Sequence, residues 1–133
     1  VTTVETLIAA AEKLELLDKA ATPAPWLVRE DYDDLVLATE AAVDPDGDGL
    51  AGSYRCTDRI AGHDFTIYDE DDDQERQVRA TFALIATMRP LAGVLAKMLR
   101  REAGCVETAN ATPNLVPLAE AVLAAAAEAG VTA

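Results

Sequence analysis

Apolar residues recur along TTVETLIAAAEKLELLDKAAT at Val4, Leu7, Ile8, Ala11, Leu14 and Leu17, while Glu5, Glu12, Glu15 and Asp18 fall mostly on the opposite side. Steps of three and four residues predict an amphipathic helix. Thr2 followed by Glu5 has capping-box spacing, Lys19 suits the carbonyl end of the dipole, and Pro23 disfavours helical geometry at Thr22, so the helix should span about residues 3–20. A second periodic stretch starts near Asp72 and Glu75, an acidic cap at the right spacing, and runs through QVRATFALIATMRPLAGVLAKMLRREAG. Val78, Phe82, Ile85, Leu91, Leu95, Met98 and Leu99 form its apolar face. Pro90 cannot donate to the helix ladder, so the pattern must kink or divide there. Arg100 and Arg101 suit a helix end, and Gly104 a left-handed cap, which places the end near residue 103. PNLVPLAEAVLAAAAEAG predicts a third element over residues 113–129, with prolines in its first turn and Gly130 at its end. Its alanine content implies either close packing on another helix or a helix carried by propensity with little to bury.

Between these helices PWLVRE, LVLAT and DFTIYDE are short and rich in β-branched and aromatic residues, separated by the turn-like clusters EDYDD, DPDGDG and AGHD. Short strands are predicted over residues 24–70, although residues 34–43 fit a helix nearly as well. The expected fold class is α+β: one domain over residues 1–133, with a small antiparallel sheet in the middle of the chain covered by N-terminal and C-terminal helices.

The chain has 133 residues, half of them hydrophobic by type, the size of one domain with a real core. Its longest apolar run, from Ala121 to Ala127, is far short of a membrane span. VTTVETLIAA lacks the basic start and apolar core of a signal peptide, which predicts a cytoplasmic protein; Val1 fits an alternative start codon and equally a trimmed chain. Cys56 and Cys105 stand apart, with no CxxC and no neighbouring histidine. Two buried, reduced thiols are the expectation, and a disulfide between the acidic segment and the later helix the alternative.

The net charge of −13 changes the picture because it is unevenly placed. Glu30 to Glu75 holds sixteen acidic residues against Arg55 and Arg59 alone, a net of −14. Such a field repels nucleic acid and anionic membrane and favours a basic partner or a cation; acidic turns between short strands also simply keep a loop solvated.

Two segments carry a family resemblance. Ala21, Thr22, Pro23, Pro25 and Trp26 follow an Ala-Thr-Pro-Gly-Pro-Trp pattern with Ala24 in place of the glycine; Ala80, Phe82, Ala83 to Ala86 and Pro90 follow an Ala-x-Phe-Ile-Ala helix that leads to a proline. The chain thereby resembles, over about residues 3–103, the small accessory Ead-like early proteins of phages infecting actinobacteria. That resemblance implies a host-directed or defence-countering binding role rather than metabolism, and it leaves the C-terminal helix outside its reach. Read physically, Thr22 and Pro23 end the helix, Pro25 stiffens the exit, and Trp26 either anchors the core where the first strand begins or offers a stacking platform.

DPDGDG invites a calcium reading, since Asp44, Asp46 and Asp48 stand at positions one, three and five of a calcium loop and Gly49 at six. Position twelve, however, is Arg55 instead of a bidentate acid, and position eight is Ala51, so a turn built from Asp-Gly units is preferred and no metal is predicted. His63 has no recognisable nucleophile or metal partner and reads as a turn residue. Asp69 to Asp73 are expected at a solvated helix entrance, where carboxylates behave ordinarily. With no phosphate-cradling glycine loop, GxSxG or HExxH, neither an enzyme nor a cofactor is predicted.

The resulting expectation is a non-enzymatic accessory protein that binds a host protein with a basic surface through Asp69, Asp71, Asp72 and Asp73. Two further readings are a small anionic ligand in a pocket between sheet and helices near Trp26, Arg55 and Arg59, and a homo-oligomer joined through the alanine-rich helix. No direct nucleic-acid or membrane contact is expected.

Overall fold

The Thr2 hydroxyl accepts the backbone N–H of Glu5 at 3.1 Å while the Glu5 carboxylate accepts the N–H of Thr2 at 2.7 Å, so the predicted capping box starts the first helix, α1 (Thr3–Ala20). The chain is described here by a computed structural model covering residues 1–31, 34–39, 43–44, 55–56, 59–65 and 71–131. Strands β1 (Trp26–Asp31), β2 (Asp34–Thr39), β3 (Val43–Asp44), β4 (Arg55–Cys56) and β5 (Arg59–Asp64) follow α1. Helices α2 (Asp72–Met88), α3 (Leu91–Ala109) and α4 (Val116–Glu128) complete an α+β chain with its sheet in the middle of the sequence. No single helix among the described residues is long and apolar enough to cross a membrane.

The contacts divide the chain into a helical unit, Val1–Ala21 with Leu91–Ala133, and a sheet unit, Thr22–Pro90. In the helical unit α1 packs chiefly on α3 and also on α4. Leu7, Ala10, Ala11, Ala96, Leu99, Ala103 and Ala119 make its buried core. Five of the seven are alanines, whose small methyl side chains let helix backbones approach closely. Of the two roles that alanine richness implied for α4, close packing therefore holds at Ala119 and Ala126, which are buried, while Ala124, Ala125 and Ala127 face water. At the rim the Arg100 guanidinium grips Glu15 with Nε at 2.5 Å and Nη2 at 2.7 Å. That hydrogen-bonded fork holds the Glu15 carboxyl below its ordinary value and raises the Arg100 guanidinium above its own.

One helix end differs from expectation and another agrees with it. Gly104 does not stop α3, which continues to Ala109; Asn110 takes the left-handed conformation at φ 51° and the Ala111 N–H returns to the Cys105 carbonyl at 3.2 Å. GCVETA is a weak helix former, but Gly104 keeps helical geometry within it, and the real stop is Asn110 ahead of Pro113. Arg100 and Arg101 are thus mid-helix rather than at the carbonyl end. Gly130 does cap α4, at φ 73°, with its own N–H on Ala127 and that of Val131 on Ala126, the paired bonds of a Schellman motif.

In the sheet unit β1, β2 and β5 form an antiparallel sheet with β2 central. Trp26 to Asp31 run opposite Thr39 to Asp34, and Leu35, Val36 and Leu37 face His63, Gly62 and Ala61. Residues 34–39 are therefore strand, and Leu35, Val36, Leu37 and Ala38 are all buried, so both faces of β2 are covered. AGHD, expected as a turn, lies in β5. Pairing with the apolar β2 outweighs the weak strand propensity of Gly62 and His63, and the register shifts between Leu37 and Ala38. Helix α2 packs on β1 and β2. The long periodic stretch divides at Arg89 and Pro90 rather than bending through them.

Core and helix arguments predict opposite signs for two substitutions in α3. Leu99→Ala empties a fully buried site and should cost about 2–5 kcal/mol in denaturant unfolding. Gly104→Ala should instead stabilise by about 0.5–1 kcal/mol, because a Cβ there meets no atom within 4 Å.

Candidate interaction surface

Helix α2 starts where its acidic pattern implied, but its cap lies one residue earlier. Asp71, not Asp72, is the cap: its carboxylate accepts the Gln74 N–H at 2.8 Å, and the Gln74 side chain accepts the Asp71 N–H at 2.9 Å. Gln at the third position completes a capping box as well as Glu does, and this choice frees Glu75 for another role. Asp72 and Asp73 are exposed in the first turn, where carboxylates complement the helix dipole. Asp73 pairs with Arg76, a contact too exposed to contribute much. Asp69 lies outside the described residues.

The inner face of α2 is half-buried at Glu75, Val78, Arg79, Phe82, Ala86 and Arg89. Arg79 ties it to the sheet. Its Nη1 lies 2.7 Å from Glu30 on β1, its Nη2 donates to Glu75 at 2.9 Å, and its guanidinium sits 5.3 Å from the Phe65 ring centroid. Hydrogen bonding to Glu75, then to Glu30, raises the Arg79 guanidinium above its ordinary value. Phe65 also meets His63 edge to face at 5.1 Å, so the histidine expected in a turn is a half-buried strand residue beside an aromatic ring.

The outer face of α2 departs most from the sequence reading. No residue of this helix is fully buried, and Leu84, Ile85 and Met88 are 62%, 41% and 47% exposed. Ile85, with Leu91 and Met98 of α3, belongs by periodicity to the apolar face, yet all three are exposed. A helix laid on a sheet of three short strands can bury only a narrow arc. On α2, Asp73, Ala80 and Leu84 follow at steps of seven and four residues, and so share one outer face that is acidic at its start and apolar at its end.

Trp26 occupies the other end of the same unit. Its indole Nε1 donates to the Thr22 carbonyl at 2.9 Å, and the Arg89 guanidinium stands 5.3 Å from its ring. Arg89 also donates to the Thr22 carbonyl, from Nε at 3.2 Å and Nη2 at 3.0 Å. The ATPAPW segment and the MRP segment, read separately in the sequence, are thus one hydrogen-bonded cluster. The sequence signal that could have found it is an Arg immediately before Pro90, where the helix ends and its side chain can reach back. The side chains of Arg55 and Arg59 lie outside what is described, although their backbones belong to β4 and β5.

Asp44 of the DPDGDG stretch stands opposite Arg55 in the β3–β4 pair, and Val43 opposite Cys56; residues 45–54, which include Asp46, Asp48 and Gly49, lie outside the described residues. Among the described residues no three His, Cys, Asp or Glu side chains converge as metal ligands would. Cys105 is a free thiol on the exposed face of α3, not a buried one. It follows the buried Ala103 by two positions, which turns it away from the core.

No family model matches the chain, and no curated protein or solved structure matches it either.

Replacing Arg89 with Met removes two donors and the cation from the Trp26 cluster and should cost about 1–2 kcal/mol. Because Trp26 is the sole tryptophan, its fluorescence reports this directly, and a red shift in the folded state is expected. For the DPDGDG stretch, thermal melting should be the same in chelator and in millimolar calcium. Bound calcium at a hundredfold excess over its dissociation constant would instead add about 2.7 kcal/mol, and Asp44→Ala would abolish the gain.

Proposed function

We propose that this is a non-enzymatic accessory protein of phage type, acting in the host cytoplasm, which binds and neutralises a host protein through a basic surface with an apolar centre. The observation that carries this reading is on α2, where Asp72 and Asp73 are exposed at the start and Leu84, Ile85 and Met88 are exposed towards the end of a helix with no fully buried residue. A solvated acidic face would have polar residues throughout, and a core helix would bury Leu84. The combination fits an interface with an apolar patch and a charged rim. Charge concentrated from Glu30 to Glu75 selects the sign of the partner and speeds its approach. The resemblance of residues 3–103 to Ead-like early proteins supports a host-directed target.

The test is affinity capture from host lysate at low and high salt, followed by kinetics on the recovered partner. Asp72→Asn with Asp73→Asn, which spares the Asp71 cap, should slow association roughly fivefold at low ionic strength and flatten its salt dependence. Leu84→Ser should leave association nearly unchanged and speed dissociation about tenfold, as loss of an apolar anchor does. Kinetics that neither change alters, at any salt concentration, would remove α2 from the interface.

A further inference from the structure

Within the helical unit a cleft of about 340 Å³ opens between the C-terminal half of α3 and the segment that leads into α4. Met98, Ala111 and Leu115 give it an apolar wall, and Arg101, Glu102 and Cys105 line it from α3. At roughly 30 Å³ for each water-sized group, it holds about ten non-hydrogen atoms. That is the lower end of ligand-sized pockets.

The two charged side chains of the cleft are not equivalent. Both carboxylate oxygens of Glu102 are engaged, one accepting the Asn114 N–H at 2.8 Å and the other the Leu115 N–H at 2.6 Å. Leu115 is the cap residue of α4 and makes no side-chain cap bond; Glu102 of the neighbouring helix instead holds the two backbone N–H groups at the entrance to α4. Its charge is thereby taken up by the positive end of α4. Arg101 makes no hydrogen bond or ion pair with another described residue. In a chain with 24 acidic and 11 basic side chains, the Arg101 guanidinium thus stands beside an apolar wall with no carboxylate partner among the described residues.

We propose that this cleft binds a small amphipathic carboxylate, its apolar body against Met98, Ala111 and Leu115 and its carboxylate on the Arg101 guanidinium. A guanidinium pairs with a carboxylate through two parallel hydrogen bonds, and one Arg suffices for one negative charge. A phosphate would require further donors, and the nearest backbone N–H groups are already held by Glu102. A neutral apolar ligand would gain nothing from the guanidinium at its edge. This site lies apart from the α2 face and neither depends on the partner proposed there nor supports it.

Cys105 lines the cleft and reports on it. Alkylation of the full chain by iodoacetamide, followed at the Cys105 peptide by mass spectrometry, should slow about tenfold when octanoate saturates the cleft, because the bound chain covers the thiol. Octanol, of equal length and no charge, should need about tenfold more to protect equally, and Arg101→Met should raise the half-protecting octanoate concentration by about the same factor. Failure of octanoate to protect Cys105 would overturn the proposal. So would equal potency of octanol, which needs no variant and decides the matter even if Arg101→Met disturbs folding. Undiminished protection in a folded Arg101→Met protein, confirmed by its melting curve, would likewise remove Arg101 as the anchor.

Discussion

One backbone oxygen, the Thr22 carbonyl, marks both the beginning and the end of the sheet unit. It accepts the Trp26 indole from four residues ahead and the Arg89 guanidinium from 67 residues on. That closure matters for α2 in particular, because the helix has no fully buried residue with which to hold the sheet. Its attachment rests on half-buried Val78, Phe82 and Ala86 and on two guanidinium groups, Arg79 in the first half and Arg89 at the end. Polar ties of this kind fix direction and register more than they add stability, since exposed hydrogen bonds and ion pairs are individually weak. A helix held by a narrow arc keeps a wide outer face, and that face is where the apolar Leu84, Ile85 and Met88 remain.

The parts of the fold that were legible in the sequence are those governed by local chemistry. The Thr2–Glu5 box, the stop at Pro23, the division at Pro90 and the glycine cap at Gly130 each follow from one residue's conformational or hydrogen-bonding limits. What misled the reading was decided by neighbours far along the chain. AGHD became strand because β2 offered an apolar partner, and residues 34–39 resolved to strand for the same reason. Gly104 stayed helical because nothing around it demanded an end. The cap at Asp71 instead of Asp72 was hidden by three consecutive aspartates, any of which could have served. For the candidate surface, charge was visible in the sequence and exposure was not: periodicity places Ile85 and Met98 on an apolar stripe without revealing that the stripe is wider than what covers it.

Charge and architecture coincide in this chain. The sheet unit, Thr22–Pro90, holds sixteen of the 24 acidic residues, and the helical unit, with its alanine core, is far closer to neutral. Asp72 and Asp73, exposed at a helix entrance, need no compensation from the core, whereas Glu15 and Glu102 in the helical unit are each spoken for, one by Arg100 and the other by two backbone N–H groups. Glu15 and Glu102 thus serve structure, and most of the acidic surplus is carried by the other unit.

The tie between Thr22 and Arg89 also alters the chain statistics of the other unit. Helix α1 must find α3 across the whole of Thr22–Pro90, and closing an open loop of roughly seventy residues costs about 2.5 kcal/mol more entropy than closing one of four. Once the sheet unit has folded, its two ends are held at one carbonyl, and α1 and α3 are joined by what is effectively a short connection. The sheet unit therefore acts as an internal staple, and the helical unit gains stability from a segment that supplies none of its core.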